Sequence, residues 1–220
     1  MHRIFGRRAV AALTIAAILT AGSTASAIAQ SASLYGINLV TNGGAEADVG
    51  APDSSHVVKP TGWTTTGQFT AVQYGASGGF PDTTSPGPAD RGKNDFEGGN
   101  VASSTATQSI SLAPIAADIN SGSVRYTFSA WLGGYSNQRD NGTATVSFTD
   151  AGGKSLGSAT LGPVTPQQRN DATGLVQRSH AGVVPAGASS AVVTIVLTRL
   201  DGVYNDGSAD DVSLVLQKAP

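Results

Sequence analysis

Apolar and polar residues alternate along several segments of this chain, and helical periodicity is almost absent. In residues 124–132 every second residue is apolar, and the positions between them hold Arg125, Thr127, Ser129 and Trp131. Such alternation is typical of β-strands with one buried face. Shorter segments of extended character lie at 37–40, 68–73, 107–112, 143–149, 155–161, 191–198 and 210–216. The pattern predicts an all-β protein.

Glycine and proline, with 28 and 10 residues, punctuate these segments as turn formers do. Strands separated by such turns indicate an antiparallel β-sandwich or barrel. Residues 49–100 hold many of these turn formers and only brief strand signals, so we expect long loops laid over the sandwich. We expect helix at most as one turn near residues 165–169. Residues 30–220 are predicted to form a single domain of ordinary size.

The first 29 residues carry the marks of a secretory signal peptide. A basic start with Arg3, Arg7 and Arg8 precedes an uncharged apolar run at 9–21 and small residues around 25–29. An uncleaved anchor is the alternative, but the run is shorter than the roughly 20 residues that span a bilayer. We therefore predict a secreted protein without membrane insertion. The choice between the general and twin-arginine export routes stays open.

Removal of residues 1–29 leaves ten basic and fifteen acidic residues, a net charge of about −5. Nucleic-acid binding favours a basic surface, so this balance argues against a nucleic-acid partner. The chain has no cysteine, and its stability must come from the core and from any bound metal.

Catalytic signals are weak. Only two histidines, His56 and His180, follow the signal peptide, and neither stands in a zinc-binding spacing. Residues 75–79 match the G-x-S-x-G pattern of a hydrolase nucleophile, but Gly and Pro follow where that turn requires a helix. No spacing selects a pair of glycosidase carboxylates. A minimal hydrolase using His180 or the aspartates is the last-ranked alternative.

Two short motifs near the ends of the mature chain couple an apolar segment to carboxylates. Residues 38–46 end in Glu46, and residues 208–216 contain Asp210 and Asp211. If the fold brings the two ends together, Glu46 and Asp210 become neighbours that need a cation or proton between them. Strand alternation puts Asp210 on the core face with Val212, and puts Asp211 on the opposite face. This arrangement predicts a hard-cation site.

The segments Asn42–Glu46, Gly62–Trp63 and Asp210–Leu214 together resemble carbohydrate-binding modules with a galactose-binding-like jelly roll. The resemblance implies that fold and a structural calcium ion. It names the Glu46 and Asp210 side chains and the Gly44 backbone as ligands, with further carbonyls from the segment around Lys93. Asp211, on the opposite face, would assist or be solvated. Ala45 departs from the family, which usually has Phe there, so local packing should be weaker.

One stretch carries the residue types of a sugar site. Aromatic rings stack on sugar C–H faces, and planar polar groups bond the hydroxyls. We predict ligand binding by Trp131, Tyr135, Gln138, Arg139 and Asp140. The alternative is that a long loop covers Trp131 and that Tyr135 caps a hairpin.

These features together predict a secreted, non-catalytic protein that binds an extracellular or cell-surface glycan. An extracellular structural or adhesive surface protein is the alternative, because carbohydrate-binding modules usually accompany enzymes and this chain carries none. Fold alone does not decide between the two.

Overall fold

The alternating segments form strands in the computed structural model, which describes residues 1–2 and 33–219. The predicted signal peptide lies almost entirely outside these residues. The described strands are β1 (Ala51–Asp53), β2 (Thr64–Thr66), β3 (Thr70–Ser77), β4 (Asn94–Gly99), β5 (Ser103–Ser111), β6 (Val124–Gly134), β7 (Asn141–Thr149), β8 (Ser155–Leu161), β9 (Gly174–Val183), β10 (Ser190–Thr198) and β11 (Asn205–Lys218).

Two sheets stack as a sandwich, which confirms the predicted all-β jelly-roll architecture. One has the order β1-β3-β4-β11-β6-β9 and the other β2-β5-β10-β7-β8. Neighbouring strands are antiparallel except for the short pair of β1 and β3. The long strand β11 lies inside the six-stranded sheet between β4 and β6. Backbone pairing on both sides therefore fixes the positions of its side chains.

The core lies between the sheets and follows the alternation of the sequence. In β6, Phe128, Ala130 and Leu132 are fully buried, whereas Trp131 between them is partly exposed. Phe96 of β4 adds a ring that meets Trp63 edge-on at 5.8 Å between centroids. Alternation therefore places Trp131 on the outer face of the six-stranded sheet, away from this core.

Residues 49–100 are more ordered than their composition suggests, since they contribute β1 to β4. The longest connection, residues 78–93, runs across the outer face of the six-stranded sheet, and we call it the covering loop. Phe80 packs there with Ala51 and Val72, and the Pro86 carbonyl accepts a hydrogen bond from the Leu175 N–H of β9 at 2.8 Å. The loop buries polar residues that an open sheet would expose.

Helix is slightly more extensive than predicted. A 3-10 turn covers Gln167–Arg169 as expected, but another at Ala113–Ile115 leads into α1 (Ala116–Asn120). Ile119 is fully buried in the main core, so tertiary packing supports a helix too short to be stable by itself. Among the described residues, no helix is long and apolar enough to cross a membrane.

Candidate functional site

The two terminal motifs lie side by side, as predicted. Tyr35 bridges Leu216 and Asn38 bridges Val215. The Val212 N–H then donates to the Gly43 carbonyl at 3.0 Å. The Asn38 side chain bonds the backbone on both sides of this junction, through the Val40 and Leu214 N–H groups. Backbone pairing therefore joins the two terminal motifs as far as the carboxylates of Asp210 and Asp211.

The predicted orientation of Asp210 is wrong, and a β-bulge is the reason. Asp210 pairs with Trp131, but the next regular pair is Ser213 with Ser129, so β11 carries an extra residue between them. Asp211 at the bulge has a φ of 45°. Cross-strand partners share a face, so Asp210 lies with Trp131 on the outer face. Ala209 and Val212 face the core instead.

Four of the five predicted metal residues converge beside this bulge. A Cβ added at Gly44 would lie 3.0 Å from Asp211 Oδ1 and 3.4 Å from Asp210 Oδ1, with the Glu46 side chain next to it. The fifth, Lys93, donates its backbone N–H to Glu46 Oε1 at 2.8 Å. The Lys93 carbonyl accepts the Tyr74 N–H at 2.8 Å. Glycine at position 44 leaves room between the carboxylates.

The carboxylates here repel one another in a poorly hydrated setting. Asp210 is fully buried and accepts hydrogen bonds from the Tyr74 hydroxyl at 2.6 Å and the Asp211 N–H at 2.7 Å. Burial raises the pKa of Asp210 to about 9, and the charges of Asp211 and Asp95 add to this. Burial also raises the pKa of Asp211, with contributions from Asp90 and Glu46. A bound cation would relieve this repulsion.

Side chains alone do not complete a metal cage in the described part of the chain, because no three acidic, histidine or cysteine residues cluster suitably. Calcium takes six to eight oxygens and accepts backbone carbonyls among them. The Asp210 and Asp211 carboxylates lie beside Gly44, and the Glu46 carboxylate lies beside Gly92, where it accepts the Lys93 and Asn94 N–H groups. Together with backbone carbonyls, these hard oxygens fit a calcium ion. The donor set of hard oxygens suits calcium better than zinc.

A polar groove opens beside this junction on the outer face of the sheet. Its cavity of about 260 Å³ is lined by Asn38, Gly43, Gly44, Asp90, Trp131, Gln177, Asp211, Val212 and Ser213, and we call it the Trp131 groove. Trp131 and Gln177 are direct cross-strand partners in β6 and β9, which sets an amide beside the indole. The covering loop supplies Asp90. One aromatic face surrounded by amide, hydroxyl and carboxylate groups can bind a polyhydroxylated ligand.

The other predicted ligand-binding residues lie outside this groove. Tyr135 sits against Gly79 of the covering loop, where an added Cβ would be 2.7 Å from its ring. The Gln138 side chain lies near Gly202, and Arg139 forms an ion pair with Asp201 at 2.7 Å. Asp140 is fully buried and accepts backbone N–H bonds from residues 200, 201 and 206. The structure thus separates Trp131 from residues 135–140.

Sequence reasoning missed Gln177, Asp90, Asn38 and Ser213, because each reaches the groove from a different segment. A larger cavity of about 670 Å³ is lined by residues 46–50, by Gln73 and Tyr74 of β3, and by Thr83 and residues 92–94. It also borders the covering loop.

Neither histidine lies in the groove. His56 Nδ1 is 2.7 Å from Asp53 Oδ1, and His180 Nδ1 is 3.2 Å from the Tyr126 hydroxyl. Ser77 ends β3 and is followed by a turn rather than a helix, so the nucleophile pattern lacks its structural context.

Replacing Gly43 with alanine should separate the two terminal segments. The new Cβ would lie 2.1 Å from the Val212 carbonyl oxygen, so the backbone pair must shift. We expect a loss of about 1–3 kcal/mol in the free energy of unfolding, measured by urea denaturation. Gly152→Ala in the β7–β8 turn meets just one side-chain oxygen at 3.3 Å and serves as the control. Equal stability of both variants would contradict this account of the junction.

Comparisons with known proteins support the fold. No protein-family model matches the sequence, and no curated protein matches it. A cyclase from Fischerella sp. TAU superposes with a TM-score of 0.56 at 12% identity, covering 84% of this chain and 99% of the cyclase. This likeness shows a shared fold.

Two further matches have lower TM-scores. Family 16 Carbohydrate Binding Module-2 gives 0.49 at 20% identity, covering 81% of this chain and 99% of the module. Tailspike protein 4 of bacteriophage CBA120 gives 0.49 at 16% identity, covering 82% of this chain and 22% of the tailspike chain. At these TM-scores and identities, the two matches establish neither a family nor an activity for this chain.

Proposed function

We propose that this protein is a secreted, non-catalytic carbohydrate-binding protein that holds a structural calcium ion. The observation that carries the proposal is Trp131, a partly exposed indole on the outer face of a sheet, set in a groove lined with polar groups. An indole exposed at such a place is seldom needed for packing, since the core of this sandwich lies on the other face. It is available for a ligand.

The groove suits a sugar in three respects. The indole offers a flat apolar surface, Gln177 offers an amide donor and acceptor, and Ser213 offers a hydroxyl. Asp90 and Asp211 can accept hydrogen bonds from sugar hydroxyls and repel anionic ligands. We therefore infer that neutral glycans bind better than polymers of uronic acids.

The proposed calcium ion would be held by Glu46, Asp210 and the Gly44 backbone, with Asp211 and the Lys93 segment nearby. When bound, it supplies positive charge that compensates the buried carboxylates. Because Gly44 and Asp211 also line the Trp131 groove, the ion would fix one wall of the groove without touching the sugar.

Truncation of the indole tests glycan binding. We expect Trp131→Ala to weaken binding by about 2 kcal/mol, roughly 30-fold, because it removes the central aromatic surface. The measurement is titration of neutral oligosaccharides selected from a glycan array. Tyr135→Ala is the matched control, since it removes an aromatic ring outside the groove. Unchanged affinity in Trp131→Ala, or an array without any binder, would refute the proposal.

The adhesive alternative has one observation in its favour. The five-stranded sheet carries a continuous cross-strand row of threonines on its outer face, with one from each of β2, β5, β10, β7 and β8: Thr64, Thr107, Thr194, Thr145 and Thr160. An uncharged row of hydroxyl and methyl groups can pack against another surface. This alternative predicts self-association in sedimentation experiments that sugars do not reverse.

A further inference from the structure

Two acidic residues in β4 are buried away from the groove. Asp95 and Glu97 are 0% and 1% exposed, and Phe96 between them faces the main core. The acids therefore share the outer face of the six-stranded sheet, beneath the covering loop. Asp95 neighbours Asp210 across the β4–β11 pair and its charge acts on that carboxylate, so the chamber adjoins the calcium site between the terminal motifs while having its own carboxylates.

Most of the polar atoms in this chamber lack hydrogen-bond partners among the described residues. With both acids ionised, both carboxylate oxygens of Asp95, Oε2 of Glu97 and the Tyr204 hydroxyl are buried and unpaired. Glu97 Oε1 alone is paired, with the Ser208 hydroxyl at 2.7 Å. Burial raises the pKa of both acids well above the ordinary range, and a hydrogen bond between the two side chains opposes the shift of Asp95 and adds to that of Glu97.

The nearest positive side chain is already engaged. Arg91 of the covering loop donates to the carbonyls of Pro88, Asp82 and Ser85 at 2.8–2.9 Å. Its guanidinium lies 5.1 Å from the centre of the Tyr74 ring. Among the ion pairs of the described residues, none joins Arg91 to Asp95. Two carboxylates are thus buried without a cation in contact.

The number of buried oxygens that can be paired distinguishes a proton shared by the two acids from a bound cation. A proton shared by the two acids makes one hydrogen bond and pairs two of the four orphan oxygens. Calcium prefers hard oxygen ligands and takes six to eight of them, which is more than these four. A divalent ion also balances the two carboxylate charges.

We propose that Asp95, Glu97 and the Tyr204 hydroxyl form a second calcium site beneath the covering loop. The site would stabilise the loop through Tyr204, whose ring meets Phe80 edge-on at 5.4 Å. Phe80 belongs to the same loop that carries Asp90 to the Trp131 groove. The ion would therefore connect β4, through Tyr204 and Phe80, to the loop that forms one wall of the groove.

The stoichiometry of calcium binding tests the second site. Equilibrium dialysis of the mature protein, first freed of metal, should give two calcium ions per chain. Asp95→Asn combined with Glu97→Gln keeps the side-chain shapes and should retain one ion. Glu46→Gln combined with Asp210→Asn should also retain one ion, which separates failure of either site from failure of the other.

A milder variant covers the case in which the double variant does not fold. Tyr204→Phe removes one hydroxyl, and we expect the affinity for one of the two ions to fall about tenfold. The midpoint of a terbium luminescence titration should report the same loss, whereas its amplitude falls in any case because Tyr204→Phe removes a sensitising tyrosine. An unchanged isotherm in Tyr204→Phe, or calcium binding unaffected by the β4 double variant, would overturn the proposal and leave a protonated acid pair.

Discussion

Removal of calcium is expected to lower the melting temperature of this protein by about 10 °C. An ion present at a thousand times its dissociation constant stabilises the folded state by about 4 kcal/mol. A domain of this size changes its melting temperature by about 2–4 °C for each kcal/mol. The stabilisation arises because Glu46 and Asp210 belong to opposite ends of the chain, and the ion would join them only in the folded state.

Scanning calorimetry with EDTA and then with added calcium measures the effect. In Asp210→Asn and in Glu46→Gln, added calcium should raise the melting temperature much less than it does in the unaltered protein. Asp171→Asn is a suitable control, since Asp171 is an exposed carboxylate with a positive φ that asparagine tolerates. A melting temperature that is the same with EDTA and with calcium would count against any structural ion.

Metal-free protein is expected to lose stability as the pH rises from 5 to 8. The folded-state pKa values of Asp210 and Asp206 are raised to about 9 and about 6, in both cases mainly by burial. In this window the folded state holds protons that the unfolded state has released, so alkali favours unfolding. Asp95 and Glu97 act in the same direction.

The expected size follows from the linkage between protonation and folding. One pKa unit corresponds to about 1.4 kcal/mol, so Asp210 alone contributes roughly 4 kcal/mol over three pH units. Asp53 and Asp201 have pKa values lowered to about 2, and their opposing effect is confined to pH below about 4. Urea denaturation in EDTA at each pH gives the free energy of unfolding.

With calcium present, the free energy of unfolding should instead increase from pH 5 to 8, because protons compete with the ion for the carboxylates at low pH. Asp210→Asn in EDTA should show a shallower decline than the unaltered protein, since it lacks the titrating group. If the free energy of unfolding of the metal-free protein increased from pH 5 to 8, these buried acids could not lack a compensating positive charge, and our account of them would be wrong.

Regular alternation was a reliable guide within single strands. It predicted that Phe128 and its neighbours in β6 face the core and that Trp131 faces outward, because the side-chain period of a strand is a local property. The pairing of the terminal motifs was also accessible, since both carry strand-like apolar residues next to carboxylates. The proposed metal residues near Gly44 depended on that pairing.

Alternation failed at the bulge of β11. One extra residue at Asp211 reverses the faces of Ala209 and Asp210, while Val212 keeps the core face that alternation predicted. Proximity in sequence also misled at residues 135–140, where the chain leaves the sheet at Ser136 with a φ of 43°. Arg139 and Asp140 then bond the β10–β11 connection instead of sharing a surface with Trp131.

The sequence by itself determined the strands, the sandwich architecture and the acidic chain ends, because these follow from side-chain period and composition. Only the tertiary structure decided which residues surround Trp131 and that Asp95 and Glu97 are buried under the covering loop. Those facts depend on strand register and on how a Gly/Pro-rich loop crosses a sheet. Both are set by contacts between segments far apart in the chain, for which local patterns carry no information.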